Sequence, residues 1–319
     1  MKTTSITTLA SLVALPLMLA CESQPDPVGY GLRAMSFASS EWSTPVNLGS
    51  AINTTFNEQG PNLSKDGLSL YFGSDRPGGL GSFDLWVARR ACSDCAWEAP
   101  ENLGPVVNTA ASETGPGQSN DGHLLFFTST RAGGQGLSDL YVSQRANAKD
   151  DFAWGPPVGL GPDVNTAASE AGAEYSQTAE DGTGNLYFNR APPGGTADLY
   201  FAPITRDGET RGPAILIPEL SDPIATDQGA TLRADGREIL FFSTRSGGLG
   251  GADLWTSTRR SVHDSWSAPV NLGAPLNSTA AEQQPSLSGD GRTLVFASSR
   301  QGGFGGTDIW ISTRTSSGQ

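Results

Sequence analysis

The sequence predicts an all-β protein, a five-bladed β-propeller of four-stranded blades closed by an N-terminal strand that joins the last blade. Three observations carry this prediction. The aspartates of a recurring Asp-Leu-Trp-like string, Asp84, Asp139, Asp198, Asp253 and Asp308, stand 55, 59, 55 and 55 residues apart. Upstream of each lies an Asp-Gly turn, at Asp66, Asp121, Asp181, Asp235 and Asp290. No segment sustains the 3.6-residue apolar period of a helix. One small sheet cannot cover both its faces, so a strand-rich unit repeated five times must stack on its own copies around an axis.

Taken in order, the chain opens with Lys2, an apolar run from Ile6 to Leu19 and small Ala20 before Cys21, the layout of an export signal over 1–20. The run is shorter than the roughly 20 apolar residues of a membrane span. Its ending, "LMLAC", resembles the bacterial lipoprotein lipobox, which implies cleavage before Cys21 and acylation of that cysteine. Glu22 stands where such proteins use Asp for inner-membrane retention, so the resemblance implies an outer-membrane location, facing the periplasm or the cell surface. Residues 21–40 carry Pro, Gly and Ser without periodicity and read as a flexible tether. The propeller is expected over 41–314, with 315–319 as a tail.

Within a unit, "NLSKDGLSLYF" places Leu68, Leu70 and Phe72 at alternate positions after an Asp-Gly turn, a hairpin with one buried face. "DLWVARR" supplies a third strand. The pattern of 42–53, repeated at 97–108, 154–165 and 266–277, supplies a fourth, and Arg211 and Asp222 bound the divergent copy. The chain thus begins on a fourth-strand motif and finishes on a third-strand motif, which predicts that the ends meet in one blade and hide its edge.

The net charge of −13 excludes nucleic acid and anionic membrane surfaces as partners. The glycine string "SDRPGGLGSFDLW" returns as "STRSGGLGGADLW" and "SSRQGGFGGTDIW"; a phosphate cradle is needed once and leads into a helix, so the string reads as a blade joint. No cofactor is expected, and the chain is expected to be a monomer. Cys92 and Cys95 are expected to form a local disulfide in an exported protein. With two histidines in the chain, His123 and His263, a zinc site is not expected.

Each unit starts its first strand with an acid, Glu58, Glu113, Glu170, Asp227 and Glu282. The hairpin geometry sets Glu58 near Arg76, Glu113 near Arg131, Asp227 near Arg245 and Glu282 near Arg300, as cross-strand pairs. The functional alternative is a ring of acids around one channel mouth, open to a cation or a basic ligand. The third unit differs: 11 residues separate Glu170 from Asp181 where the others have 8, which draws attention to Glu174, Tyr175 and Glu180. A gapless alignment puts Pro192 in the place of Arg76 and leaves Glu170 unpaired; a second alignment restores Arg190 to the pairing position. The recurring tryptophans are expected to pack between blades, with sugar stacking open to any that are exposed.

The units "EQGPNLSKDGLSLYFGSDRPGGLGSFDLW" and "EQQPSLSGDGRTLVFASSRQGGFGGTDIW" resemble the WD40-like propeller repeat of TolB-type proteins and many bacterial envelope lipoproteins, over essentially all of the chain beyond residue 41. That resemblance implies a binding or assembly role. With no HExxH, no GxSxG and no histidine placed as a base, the expectation is a lipid-anchored, non-enzymatic module with no catalytic residues, binding an envelope protein or polysaccharide. The alternative is a carbohydrate-active hydrolase or glycan-binding propeller that uses acids at the channel mouth.

Overall fold

The computed structural model describes residues 42–177 and 183–315. The chain divides into units 1–36 and 37–319, and all described residues fall in the second. The export signal, the tether, Cys21, Glu180 and Asp181 lie outside the described residues.

Every described element is a strand, and the strands form five four-stranded antiparallel sheets. After β1 (Val46–Asn47), the first blade is β2 (Glu58–Leu63), β3 (Ser69–Ser74), β4 (Asp84–Arg89) and β5 (Glu101–Asn102). The second is β6 (Glu113–Gln118), β7 (Leu124–Ser129), β8 (Asp139–Gln144) and β9 (Val158–Gly159). The third is β10 (Ser169–Gln177), β11 (Gly184–Ala191), β12 (Asp198–Ile204) and β13 (Ile215–Leu216). The fourth is β14 (Asp227–Leu232), β15 (Glu238–Ser243), β16 (Asp253–Thr258) and β17 (Val270–Asn271). The last combines β18 (Glu282–Leu287), β19 (Thr293–Ser298) and β20 (Asp308–Thr313) with β1.

This closure is the one the ends predict. Val46 lies opposite Ile311 and Asn47 opposite Trp310, while Trp42 bridges to Arg314. The Ser43 N–H donates to the Thr313 carbonyl at 2.7 Å. Without this segment β20 would expose its unpaired edge.

Successive blades are joined at the start of each inner strand. The backbone N–H groups of Glu58, Glu113, Glu170, Asp227 and Glu282 donate to carbonyls of the preceding blade at 2.8 to 2.9 Å. The glycine strings make room for this joint. A Cβ on Gly81 would stand 1.7 Å from the Ala111 carbonyl oxygen of the next blade, and one on Gly79 would stand 1.9 Å from the Asp84 carboxylate. The apolar core lies in seams between blades: Leu70 and Phe72 pack with Val295 and Ile309 across the closing seam. Arginines cover the outer tryptophans, Arg145 over Trp154 at 4.2 Å and Arg314 over Trp42 at 4.6 Å, so these rings are packed as cation–π pairs. Cys92 and Cys95 are joined by a disulfide in the loop between β4 and β5.

Candidate functional site in the axial channel

The five strand-leading acids are fully buried. Glu58 accepts hydrogen bonds from the Thr54 N–H at 2.9 Å, the Thr54 hydroxyl at 2.7 Å, the Ser74 hydroxyl at 3.1 Å and Arg76 Nη2 at 2.9 Å. Arg76 also donates to the Ile52 carbonyl at 2.6 Å and lies 5.0 Å from the centre of the Phe72 ring. The clamp recurs as Glu113–Arg131 at 3.3 Å, Asp227–Arg245 at 2.5 Å and Glu282–Arg300 at 3.1 Å. Neither Glu58, Glu113, Glu170, Asp227 nor Glu282 lines the channel, so the reading of these acids as an open, ligand-accepting ring is corrected: an arginine encloses each one, with hydroxyl donors at the four glutamates and the Asp222 N–H at Asp227.

The third blade keeps the clamp. The gapless alignment gives the register, since Arg190 lies opposite Glu170 where Ser74 lies opposite Glu58, but from that place Arg190 Nε donates to Glu170 at 2.8 Å, so Glu170 is not an unpaired acid. What changes is the following loop. Pro192 stands in the place of Arg76 and Gly194, with a φ of 72°, in the place of Gly78, and three residues separate Gly194 from Asp198 where five separate Gly78 from Asp84. The loop instead closes on itself, Gly195 N–H to the Pro192 carbonyl at 2.9 Å. Asp84 accepts the Leu80 and Gly81 amides, but among the described residues Asp198 accepts no such loop amides. Burial, and then the Asp227 charge, push its carboxyl upward.

Two residues along each inner strand the channel itself is built. Every inner strand shifts register there. The residues at the shift, Gly60, Gly115, Gly172, Gly229 and Gln284, all have φ between 50° and 68°. They close on one another around the axis: a Cβ on Gly60 would stand 3.0 Å from the Gly115 Cα. Gln284 takes the fifth place and its Oε1 accepts the Gly60 N–H at 2.7 Å.

Two residues further on, Asn62, Gly117, Glu174, Thr231 and Ser286 form a second ring. Side chains of this ring clasp the next blade's backbone: Asn62 accepts the Gln118 N–H at 3.2 Å, Thr231 the Leu287 N–H at 3.0 Å and Ser286 the Leu63 N–H at 3.2 Å. Glu174 accepts the Leu232 N–H in the same way and the Thr231 hydroxyl at 3.3 Å. Gly117 has no side chain because the Ala173 carbonyl occupies its place, 2.0 Å from where a Cβ would be.

Glu174 is the only carboxyl among the described residues lining the two chambers of this channel, of about 70 and 50 Å³, and Asn62, Glu174 and Ser286 line both. Glu174 faces both chambers, and among the described residues no cation pairs with it. Burial pushes its pKa up to about 8, against the Leu232 and Thr231 hydrogen bonds that favour the charged form. The second chamber opens beside the hairpin turns and is lined by Lys65, Gln118, Tyr175 and Arg233.

Of the residues singled out in the sequence, the structure brings Glu174 and Tyr175 to the channel and leaves the strand-leading acids and Arg190 in clamps. Glu174 is not a product of the third-unit insertion. It sits four residues after Glu170, as Asn62 does after Glu58, and the extra residues fall further along the hairpin. Lys65 and Gln118 were not predicted. Gln118 had a signal: it stands in the column of Leu63, Tyr175, Leu232 and Leu287.

No family model matches the chain, and no curated protein matches it. Solved structures share the ring. A thermostable family-43 glycoside hydrolase superposes with a TM-score of 0.56 at 13% identity, over 83% of this chain and 91% of that one. The catalytic domain of a Coprinopsis cinerea GH62 α-L-arabinofuranosidase gives 0.56 at 10% identity, over 86% and 97%. A putative TolB from Agrobacterium tumefaciens gives 0.48 at 16% identity, over 84% and 82%. At these identities the likeness to the two hydrolases shows the five-bladed fold. The two hydrolase neighbours also overturn the expectation of a non-enzymatic module. That expectation rested on symmetric blades lacking familiar catalytic motifs, and the same ring carries glycoside hydrolases.

Proposed function

We propose that the protein is a carbohydrate-active hydrolase whose chemistry is centred on Glu174 in the axial channel. One observation carries this: a channel carboxyl that has no cation partner among the described residues and whose pKa burial pushes up to about 8. A carboxylic acid in that state can protonate a glycosidic oxygen at neutral pH. The ring shared with glycoside hydrolases of families 43 and 62 supports the same reading. Hydrolysis by the two-carboxylate route pairs such an acid with a second carboxylate roughly 5 to 9.5 Å away. Among the described lining residues Glu174 stands alone, so protonation of the leaving oxygen is the step assigned to this site.

The test is a panel of aryl glycosides and oligosaccharides with wild type and Glu174→Gln. Turnover by wild type that falls by about 10²-fold or more in the variant is the expected result. Unchanged turnover in the variant, or none in the folded wild type, overturns it. The lipobox-like ending supports anchoring at Cys21 in the cell envelope as part of the proposal. Palmitate labelling that persists in Cys21→Ala would remove that part.

A further inference from the structure

The second chamber is assembled from donors. Gln118 occupies a column otherwise filled by Leu63, Tyr175, Leu232 and Leu287, all buried, and its buried Nε2 has no hydrogen-bond partner. A buried amide donor left unpaired is destabilising compared with leucine at the same place, so repeat packing does not account for it. Lys65 lies at the mouth. Its stem leans across towards the fifth blade, where a Cβ on Gly289 would stand 3.8 Å from Lys65 Cγ. The chain has 33 acidic residues, yet Lys65 has no carboxylate within ion-pair distance among the described residues. Arg233 on the same wall is held by Asp235 at 2.8 Å and by Glu238 at 3.3 Å. Glu174 forms the floor. The chamber therefore combines an unpaired amide donor, an unpaired ammonium group and a carboxyl, in about 50 Å³, room for a few water molecules or one small substituent.

We propose that this chamber receives the carboxylate of an acidic sugar, a uronic acid, with Lys65 and Gln118 as its recognising groups. The inference rests on the carbohydrate reading above and names the substrate class for that site. An ammonium and an amide N–H together match a carboxylate by charge and by donor count, whereas a neutral hydroxymethyl group would leave the ammonium without a counter-charge. In a uronic acid the oxygen on the neighbouring ring carbon lies beside the carboxylate. One substituent can therefore meet Lys65 and Gln118 while the adjacent oxygen meets Glu174.

The experiment is calorimetric titration of the full chain with glucuronic acid, glucose and acetate, repeated for Lys65→Met and Gln118→Leu, with thermal unfolding of each protein. Glucuronic acid is expected to bind at least tenfold more tightly than glucose and than acetate. Both variants are expected to lose at least fivefold in affinity for it, while Gln118→Leu raises the melting temperature. That combination of weaker binding in a more stable protein is one that loss of folding does not produce. Equal affinity for glucose overturns the carboxylate assignment, equal affinity for acetate overturns the sugar assignment, and unchanged affinity in the two variants overturns the site. Turnover of neutral glycosides without glucuronic acid binding sinks this inference alone. Glucuronic acid binding without turnover of any glycoside sinks the proposed activity alone.

Discussion

Glu170 and Glu174 lie four residues apart on the same strand and end in opposite chemical situations. Glu170 is one of five equivalent acids, enclosed by Arg190 and by the Thr166 hydroxyl and N–H, and it holds its blade together. Glu174 is the only acid in a ring whose other members are Asn62, Gly117, Thr231 and Ser286; it faces the channel chambers, and among the described residues no cation pairs with it. A carboxyl repeated in every blade with its arginine serves the fold. A carboxyl present in one blade without an arginine is free to serve a ligand.

The largest way to test this contrast is to remove clamp acids. Glu58→Ala or Glu170→Ala leaves a buried arginine without its counter-charge, and each is expected to cost about 3 to 5 kcal/mol in urea unfolding. Glu174→Gln, which keeps the clasp on Leu232, is expected to cost less than about 1 kcal/mol. Equal losses at Glu170 and Glu174 would erase the distinction.

A smaller effect is expected at the constriction. Gly60→Ala adds a Cβ 3.0 Å from the Gly115 Cα at a φ of 57°, where side chains are strained, and is expected to cost about 1 to 3 kcal/mol. A fully stable Gly60→Ala protein would show that the five inner strands are not held in contact at the axis.

The pH dependence of stability sharpens the comparison most. The folded-state pKa of Glu174, about 8, lies above the ordinary value of 4.5, so the folded protein binds more protons than the unfolded chain between those values. Stability is therefore expected to fall as pH rises from about 4.5 to 8 and to level off above. The pH dependence of the melting temperature, wild type minus Glu174→Gln, isolates this slope from the histidines, which are common to both proteins. No difference between the two curves would mean that Glu174 ionises normally in the channel.

Much of the fold was legible because it is periodic. The five aspartates, the Asp-Gly turns and the arginines fall at constant offsets, and a constant offset in a stacked sheet is a constant contact. The Glu58–Arg76 and Glu282–Arg300 clamps and the latch of Val46–Asn47 on β20 were readable for that reason. The third blade was readable only as two competing alignments. The strand register follows the gapless one, and yet Arg190, in the place of Ser74, still reaches Glu170. Gln118 was visible as a polar residue in an apolar column, and only the packed structure shows that its amide is left unpaired.

By itself, the sequence determined the number of blades, the strand order within each, the closure and the identity of four of the five clamp pairs, because these follow from residues repeated at fixed separations. Tertiary structure alone decided which carboxyl is enclosed and which faces the axis. Burial, counter-charge and solvent access depend on where all five inner strands meet, and no single repeat contains that information.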